Sequence, residues 1–400
     1  MQPRAFRRFQ QKNQAERLQV LREEGLLTAQ EEERLLAGSP LSFLEADRMA
    51  EQVIGSFGLP LGLATNFHID GEDYILPMVI EEASVIKAAS FAAQLVKAGG
   101  GFQTEVPTRL LEGQVTFTGK WSEALAGHFT EKVNQAKATL LEVAREAFPD
   151  IIKYGGGPRT ITTQCFQDED TGYYTLYLTV DTQEAMGANM LNTMLEAIQA
   201  KLEADFKQTA LPLSSLFAII SNHGEKALAT ARCQIPYRKL KVGPLAGSEV
   251  AKRISQACAY AKIDPKRAVT HNKGIMNGVD ALLLATGNDW RAIEAGVHAA
   301  AVQDGRYQGL GSWTLVPAKE RLQGELTLPL PVGTLGGSIN SQPGAQLAFN
   351  LLGRPQAKKF MGLLVALGLA QNLAALRALV SEGIQAGHMP LQERQNKNKP

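Results

Sequence analysis

Between Arg267 and Gly278 the chain reads Arg-Ala-Val-Thr-His-Asn-Lys-Gly-Ile-Met-Asn-Gly. Two fixed cations, Arg267 and Lys273, stand there with two side-chain amides, Asn272 and Asn277, and two glycines, Gly274 and Gly278. An apolar run, Ala281 to Ala285, follows and reads as a strand; Gly287-Asn288-Asp289 comes next. Lysine is ordinarily solvated. Here it is followed by Gly274 and Gly278, glycines that permit turns other residues resist, and it lies beside a run that should be buried. A cation in such a cleft marks a candidate site. The Arg267 guanidinium is a planar fork suited to a carboxylate.

Two further segments could do chemistry. Met186-Gly187-Ala188-Asn189 precedes an amphipathic helix in which Met190, Leu191, Met194, Leu195, Ile198 and Leu202 share one face. Backbone N–H groups at a helix N-terminus favour a pyrophosphate, and Gly187 lets the backbone approach it. No G-x-G-x-x-G follows a first strand, which disfavours an ordinary Rossmann domain. His388 carries the side chain that titrates near neutral pH without large perturbation. The other histidines show no metal-ligand spacing, although His271 is close to Lys273 in sequence. Cys165, Cys233 and Cys258 are widely spaced and odd in number, and read as small buried thiols in a reducing compartment.

The elements that position these groups need more than one core, because 400 residues exceed what one core supports. Residues 12–50 read as helical. Tyr74 to Ile80 reads as a strand, and Ser84 to Lys97 as a helix ended by Gly99-Gly100-Gly101. From about 110 the order is strand, long helix (Glu123 to Ala147), two strands (Thr160 to Cys165 and Tyr173 to Asp181), helix, and one more expected strand. That is a small α+β domain of ferredoxin-like type. It reads as inserted into a larger mixed α/β domain. The larger domain covers 1–109 and 218–378, the small one 110–217, and 379–400 forms a C-terminal segment. With 41 basic and 40 acidic residues and no basic block, nucleic acid is not an expected partner. The longest apolar stretch, Phe360 to Ala370, falls short of the ~20 residues of a membrane span. A soluble, cytoplasmic protein is expected.

Four ordered segments resemble one family. Pro77 to Ser84 resembles the glutamate motif, Glu184 to Met190 the cofactor motif, Thr270 to Gly278 the lysine motif and Glu382 to Met389 the histidine motif of the 3-hydroxy-3-methylglutaryl-coenzyme A (HMG-CoA) reductases. The details are similar to the soluble bacterial form, class II, from about Arg17 to Leu391. The resemblance implies reduction of HMG-CoA to mevalonate and coenzyme A by two nicotinamide cofactors, in the mevalonate route to isoprenoids. It implies catalytic roles for Glu82, Lys273, Asp289 and His388. Lys273 would meet the thioester oxygen, Glu82 would supply a proton while shielded from water, and His388 would protonate the thiolate. Asp289, sixteen residues after Lys273, would keep the Lys273 and Glu82 charges in register and also cap a helix. Arg267, Ser84 and Asn277 would hold the substrate.

Glu184, Met186, Gly187, Ala188, Asn189, Asn222 and Gln371 would serve the cofactor by the same resemblance. Asp150 is the candidate that would favour NADH, whereas Arg159 or Lys153 would accept the phosphate of NADPH. The balance is set slightly toward NADPH, with no metal. Glu51-Gln52-Val53-Ile54-Gly55 resembles the family's subunit-contact motif, so a homodimer with its site at the subunit interface is expected. Glu184 replaces the usual aspartate and Gln52 the usual asparagine. Beyond the histidine motif the chain continues only to Pro400, which reads as a truncated flap. The alternative reading is a non-catalytic acyl-CoA-binding homologue with an incomplete flap.

Overall fold

The computed structural model describes residues 5–38 and 41–383. The chain forms two compact units. One is Pro107–Leu228; the other is built from the chain up to Val106 and from Ala229 onward.

The larger unit begins with three short helices, α1 (Gln14–Glu23), α2 (Ala29–Leu36) and α3 (Phe43–Asp47). Each starts with a reciprocal capping box: Asn13 with Glu16, Thr28 with Glu31, and Ser42 with Glu45. An antiparallel pair follows, β1 (Leu61–Ile69) and β2 (Glu72–Val79). Then come α4 (Val85–Lys97) and β3 (Phe102–Glu105).

The smaller unit runs β4 (Leu111–Lys120), α5 (Glu123–Ala147), α6 (Asp150–Lys153), β5 (Gly157–Asp168), β6 (Thr171–Asp181), α7 (Ala188–Gln208) and β7 (Ser214–Ser221). Its sheet is antiparallel in the order β5-β6-β4-β7. With α5 and α7 as its crossovers, this is the expected β-α-β-β-α-β pattern. Phe117, Phe129, Tyr174 and Phe206 pack edge to face in its core. The limit expected at 217 would cut β7, whose backbone completes this sheet against β4. The unit therefore extends to Leu228.

The larger unit resumes with β8 (Leu228–Pro236), α8 (Tyr237–Leu240), α9 (Gly247–Ile263), α10 (Pro265–Ala285) and α11 (Trp290–Ala300). A short hairpin follows, β9 (Val302–Gln303) with β10 (Arg306–Tyr307). After it come β11 (Ser312–Val316), β12 (Arg321–Pro329), α12 (Ser338–Ser341), α13 (Pro343–Leu351) and α14 (Ala357–Val380). The six-stranded sheet has the order β11-β12-β8-β3-β1-β2, and α4, α9 and α10 pack around α14 against it.

Two sequence expectations fail here. Ala281 to Ala285 is the last turn of α10, and Gly274 and Gly278 make no turn. They are four residues apart on one helix face, and that face meets α14. A Cβ on Gly278 would lie 3.3 Å from Leu367 and Gln371, and one on Gly274 3.9 Å from Ala375. The glycines let two helices approach closely. Second, the run Phe360 to Ala370 belongs to a 24-residue helix that is long and apolar enough to cross a membrane. Every residue from Phe360 to Leu373 is buried in the protein, so α14 is a core helix, apolar all round because it is covered all round.

Candidate active site

The substrate side is assembled where α10 passes the end of β2. β2 stops at Val79, and the loop 80–84 leads into α4. Lys273 Nζ lies 2.7 Å from Glu82 Oε2, an ion pair between groups 191 positions apart. The Glu82 side chain is 40% exposed and that of Lys273 60%. The seclusion of Glu82 from water expected from sequence is therefore not present in the single chain, because the loop lies on the rim of the unit. Asn277, one turn after Lys273, shares its face. Arg267 stands six residues earlier, about 9 Å along the axis and about 120° around it, so α10 alone does not aim it with Lys273.

Ser84 has a left-handed backbone, φ 76, at the start of α4. Such strain in a non-glycine residue collects at functional sites. Its hydroxyl caps nothing, and its buried Oγ has no hydrogen-bond partner. A cavity of about 680 Å³ opens beside the loop, lined by Glu81, Glu82, Ser84 and Lys87 with Leu61 and Phe91. That is the size of a small-molecule site.

Asp289 is exposed and caps α11, its Oδ1 accepting the Ala292 N–H at 3.1 Å. The capping expectation holds. Among the described residues, the ion pair of Lys273 is with Glu82 and not with Asp289. His271 points away from Lys273: its Nε2 lies 2.8 Å from the Leu310 carbonyl, and burial pushes its pKa down to about 4. Cys233 and Cys258 are buried and Cys165 is half-buried; burial raises all three thiols, Cys233 to about 12. His388 lies outside the described residues.

The nucleotide-side candidates other than Gln371 occupy the smaller unit. Gly187, φ 82, starts α7, and Ala188 and Asn189 are exposed at that N-terminus. A Cβ on Gly187 would come within 2.3 Å of Thr182 Cγ2, so only glycine fits the turn. The turn is held from below by Arg109, a residue the sequence reading passes over. Buried at 5% exposure, it donates from Nη1 to Thr182 Oγ1 at 2.8 Å and from Nη2 to the Ala185 carbonyl at 2.6 Å. Burial pulls its pKa down to about 10 against the opposing pull of Glu184 and Asp181. A lone arginine just before a strand was the available signal.

Arg159 reaches the same turn through Asp181, whose Oδ2 it meets at 2.9 Å while Oδ1 accepts the Gln183 N–H at 3.0 Å. Asp150 is paired with Lys153 on α6 at 2.6 Å. Asn222 is exposed just beyond β7. Gln371 is buried in α14 of the larger unit, and its Oε1 has no hydrogen-bond partner. An open helix N-terminus, a turn only glycine can make and an adjacent arginine together suit a nucleotide carrying a pyrophosphate. Among the described residues, no group of three His, Cys, Asp or Glu could hold a metal ion.

A family model described as hydroxymethylglutaryl-coenzyme A reductase matches residues 13–393. A 3-hydroxy-3-methylglutaryl-coenzyme A reductase of Archaeoglobus fulgidus is 42% identical over 380 residues, covering 95% of this chain and 83% of the relative. The chain belongs to the hydroxymethylglutaryl-coenzyme A reductase family. A probable reductase of the same name from Borreliella burgdorferi is 34% identical over 86% of this chain and 76% of its own length. The structure of the class II 3-hydroxy-3-methylglutaryl-CoA reductase from Streptococcus pneumoniae, bound to NADPH in open conformations, matches with a TM-score of 0.88 at 45% identity. That match covers 94% of this chain and 100% of the other. Within the family the chain is of class II, and it is an oxidoreductase. The reading as a non-catalytic homologue is not favoured.

Proposed function

We propose that this class II reductase converts HMG-CoA to mevalonate and coenzyme A with two NADPH, using Glu82, Lys273, Asp289 and His388. The nicotinamide, when bound, supplies one hydride per cofactor. Reduction of the thioester carbon would gather negative charge on its oxygen. The Lys273 ammonium is placed to stabilise that charge, a contribution of about 3–4 kcal/mol for one such donor in a dry site. The C–S bond then breaks, and the electron pair leaves with sulfur. His388 gives the thiolate its proton. When the aldehyde carbon is reduced in turn, Glu82 would give its oxygen a proton through the contact it shares with Lys273.

Arg267, Ser84 and Asn277 bind the hydroxymethylglutaryl group, with the unpartnered Ser84 hydroxyl awaiting a polar atom of it. The α7 N-terminus with Gly187, Ala188 and Asn189 takes the pyrophosphate, and Glu184, Met186 and Asn222 complete the cofactor site on the smaller unit; Gln371 keeps the cofactor role that the family resemblance implies. Arg159 takes the 2′-phosphate, which supports NADPH over NADH; Asp150 is set against it by its pairing with Lys153. The exposed apolar stretch around the subunit-contact segment, with Ile54 100% and Phe57 93% exposed, supports a homodimer. A partner subunit would then supply the seclusion that Glu82 lacks in one chain. The cytoplasm supplies the reducing surroundings for three free thiols.

The observation that carries this reading is the Lys273–Glu82 pair beside the orphaned Ser84 hydroxyl. Its test is an assay of purified protein with HMG-CoA, following NADPH and NADH separately. Two cofactors oxidised per thiol released is the expected result. Binding of HMG-CoA without oxidation would overturn it.

A further inference from the structure

Asp280 is a half-buried acid that the chemistry above leaves unused. It lies on α10 seven residues beyond Lys273, which puts it on the same face of the helix. Its Oδ1 is buried with no hydrogen-bond partner, and its carboxyl is bonded to that of Glu294 on α11. Burial first, and then Glu294, push its pKa up to about 9, so Asp280 keeps its proton at neutral pH and donates it to Glu294.

The bonds continue from Glu294. Its Oε2 lies 2.7 Å from His298 Nε2, one turn along α11. His298 Nδ1 lies 2.6 Å from the Tyr307 hydroxyl on β10. Asn272 Nδ2 donates to that hydroxyl at 3.0 Å and to the Gln308 carbonyl at 2.9 Å, and Asn272 Oδ1 accepts the Leu310 N–H at 2.8 Å. One assignment of protons satisfies the series: Asn272 donates to Tyr307, Tyr307 to His298 Nδ1, His298 Nε2–H to Glu294, and Asp280 to Glu294. The circuit leaves α10 at Asp280 and returns to it at Asn272. It therefore brackets Lys273 and Asn277, and it passes through the helix that Asp289 caps.

We propose that Asp280 and Glu294 are positioning residues: the proton held between them closes a hydrogen-bond circuit that fixes Lys273 and Asn277 on α10 against α11 and Asp289. This role rests on the reading of Lys273 as a catalytic group. Among the described residues, Glu294 is the one charged group that acts on Asp280. α13, and α14 between Lys359 and Arg377, carry no charge, and Glu72 and Asp73 at the start of β2 pair with Lys359 and Lys97. Lys262 of α9 acts on His271 instead.

Asp280→Asn keeps a neutral donor of nearly the same shape, whereas Asp280→Ala removes it. In the full-length chain, kcat and the KM for HMG-CoA are measured against pH for both variants, with thermal melting of each. Asp280→Ala is expected to lower kcat about ten-fold or more while KM changes less than about three-fold, and Asp280→Asn to restore kcat to within about three-fold at neutral pH.

The native kcat is expected to fall as pH rises through about 9, where Asp280 gives up its proton, and Asp280→Asn is expected to remove that fall. The melting points follow the same proton. The folded state binds it, and the unfolded state does not, from the ordinary carboxylate range up to the raised pKa. Native stability therefore declines across that window, while that of Asp280→Asn is flatter. Equal losses in both variants, or identical alkaline limbs and melting slopes in native and Asp280→Asn, would overturn the proposal. Native turnover in Lys273→Ala would instead remove the catalytic reading of the site, and the melting slopes would still report on the Asp280 proton.

Discussion

Lys273 and Glu82 meet at 2.7 Å although α10 and the loop after β2 are 191 residues apart in the chain. The pair costs chain entropy to assemble, and an exposed ion pair returns at most about 1 kcal/mol. Stability does not explain it. A cation and a carboxyl side by side at the mouth of a cavity suit a reaction in which oxygen gains charge and then a proton. Lys273→Ala is expected to lower kcat by about 10²–10³-fold without changing the circular dichroism spectrum or the melting point by more than a degree or two. Steady-state turnover close to native would reject the role.

Arg159 is held by Asp181, and Asp181 also fixes the turn leading to Gly187. A 2′-phosphate would compete for the guanidinium as a stronger, doubly charged acceptor. Arg159→Ala is expected to raise the KM for NADPH about ten-fold or more and to leave that for NADH within about two-fold. Equal effects on the two cofactors would assign Arg159 to the fold of the turn rather than to the phosphate.

Gly187 combines φ 82 with a Cβ position 2.3 Å from Thr182 Cγ2. Gly187→Ala therefore strains the backbone and pushes the turn off the buried Arg109 that holds it, at about 1–3 kcal/mol. The KM for the nicotinamide should rise with little change in that for HMG-CoA. A variant with unchanged cofactor KM would show that the α7 N-terminus does not receive the pyrophosphate.

The smaller unit is the more legible part of the sequence. α5 announces itself by Ser122 as a cap and Pro149 as a stop, and β6 by Tyr174, Leu176, Leu178 and Val180 at every second position. The larger unit is less so. β3 is only four residues long and lies between β1 and β8, and β8 pairs with it from about 130 residues away, a pairing that local periodicity does not encode. α10 is misread because Gly274 and Gly278 look like turn residues when they are contact points for α14. The motif residues Glu82, Ser84 and Lys273 are legible one by one, but their meeting is not. Arg109 and Asp280 escape notice because burial, not residue type, makes them unusual.

Ser84 holds two liabilities at once. Its φ of 76 is a conformation that L-residues rarely adopt, and its buried Oγ is without a partner. A serine left in this state is better explained by a ligand than by the fold, because glycine would remove both penalties. Ser84→Gly is therefore expected to stabilise the protein by about 1 kcal/mol, the strain and the unsatisfied hydroxyl together outweighing the added entropy of the unfolded chain. That corresponds to a melting point about 2 °C higher. The same change should raise the KM for HMG-CoA about five-fold or more, since the hydroxyl that awaited the substrate is gone. Thermal melting and steady-state kinetics of one preparation read both signs. A variant that is stabilised and binds HMG-CoA as well as the native protein would release Ser84 from the substrate site. A destabilised one would show that the left-handed turn is supported by the serine itself.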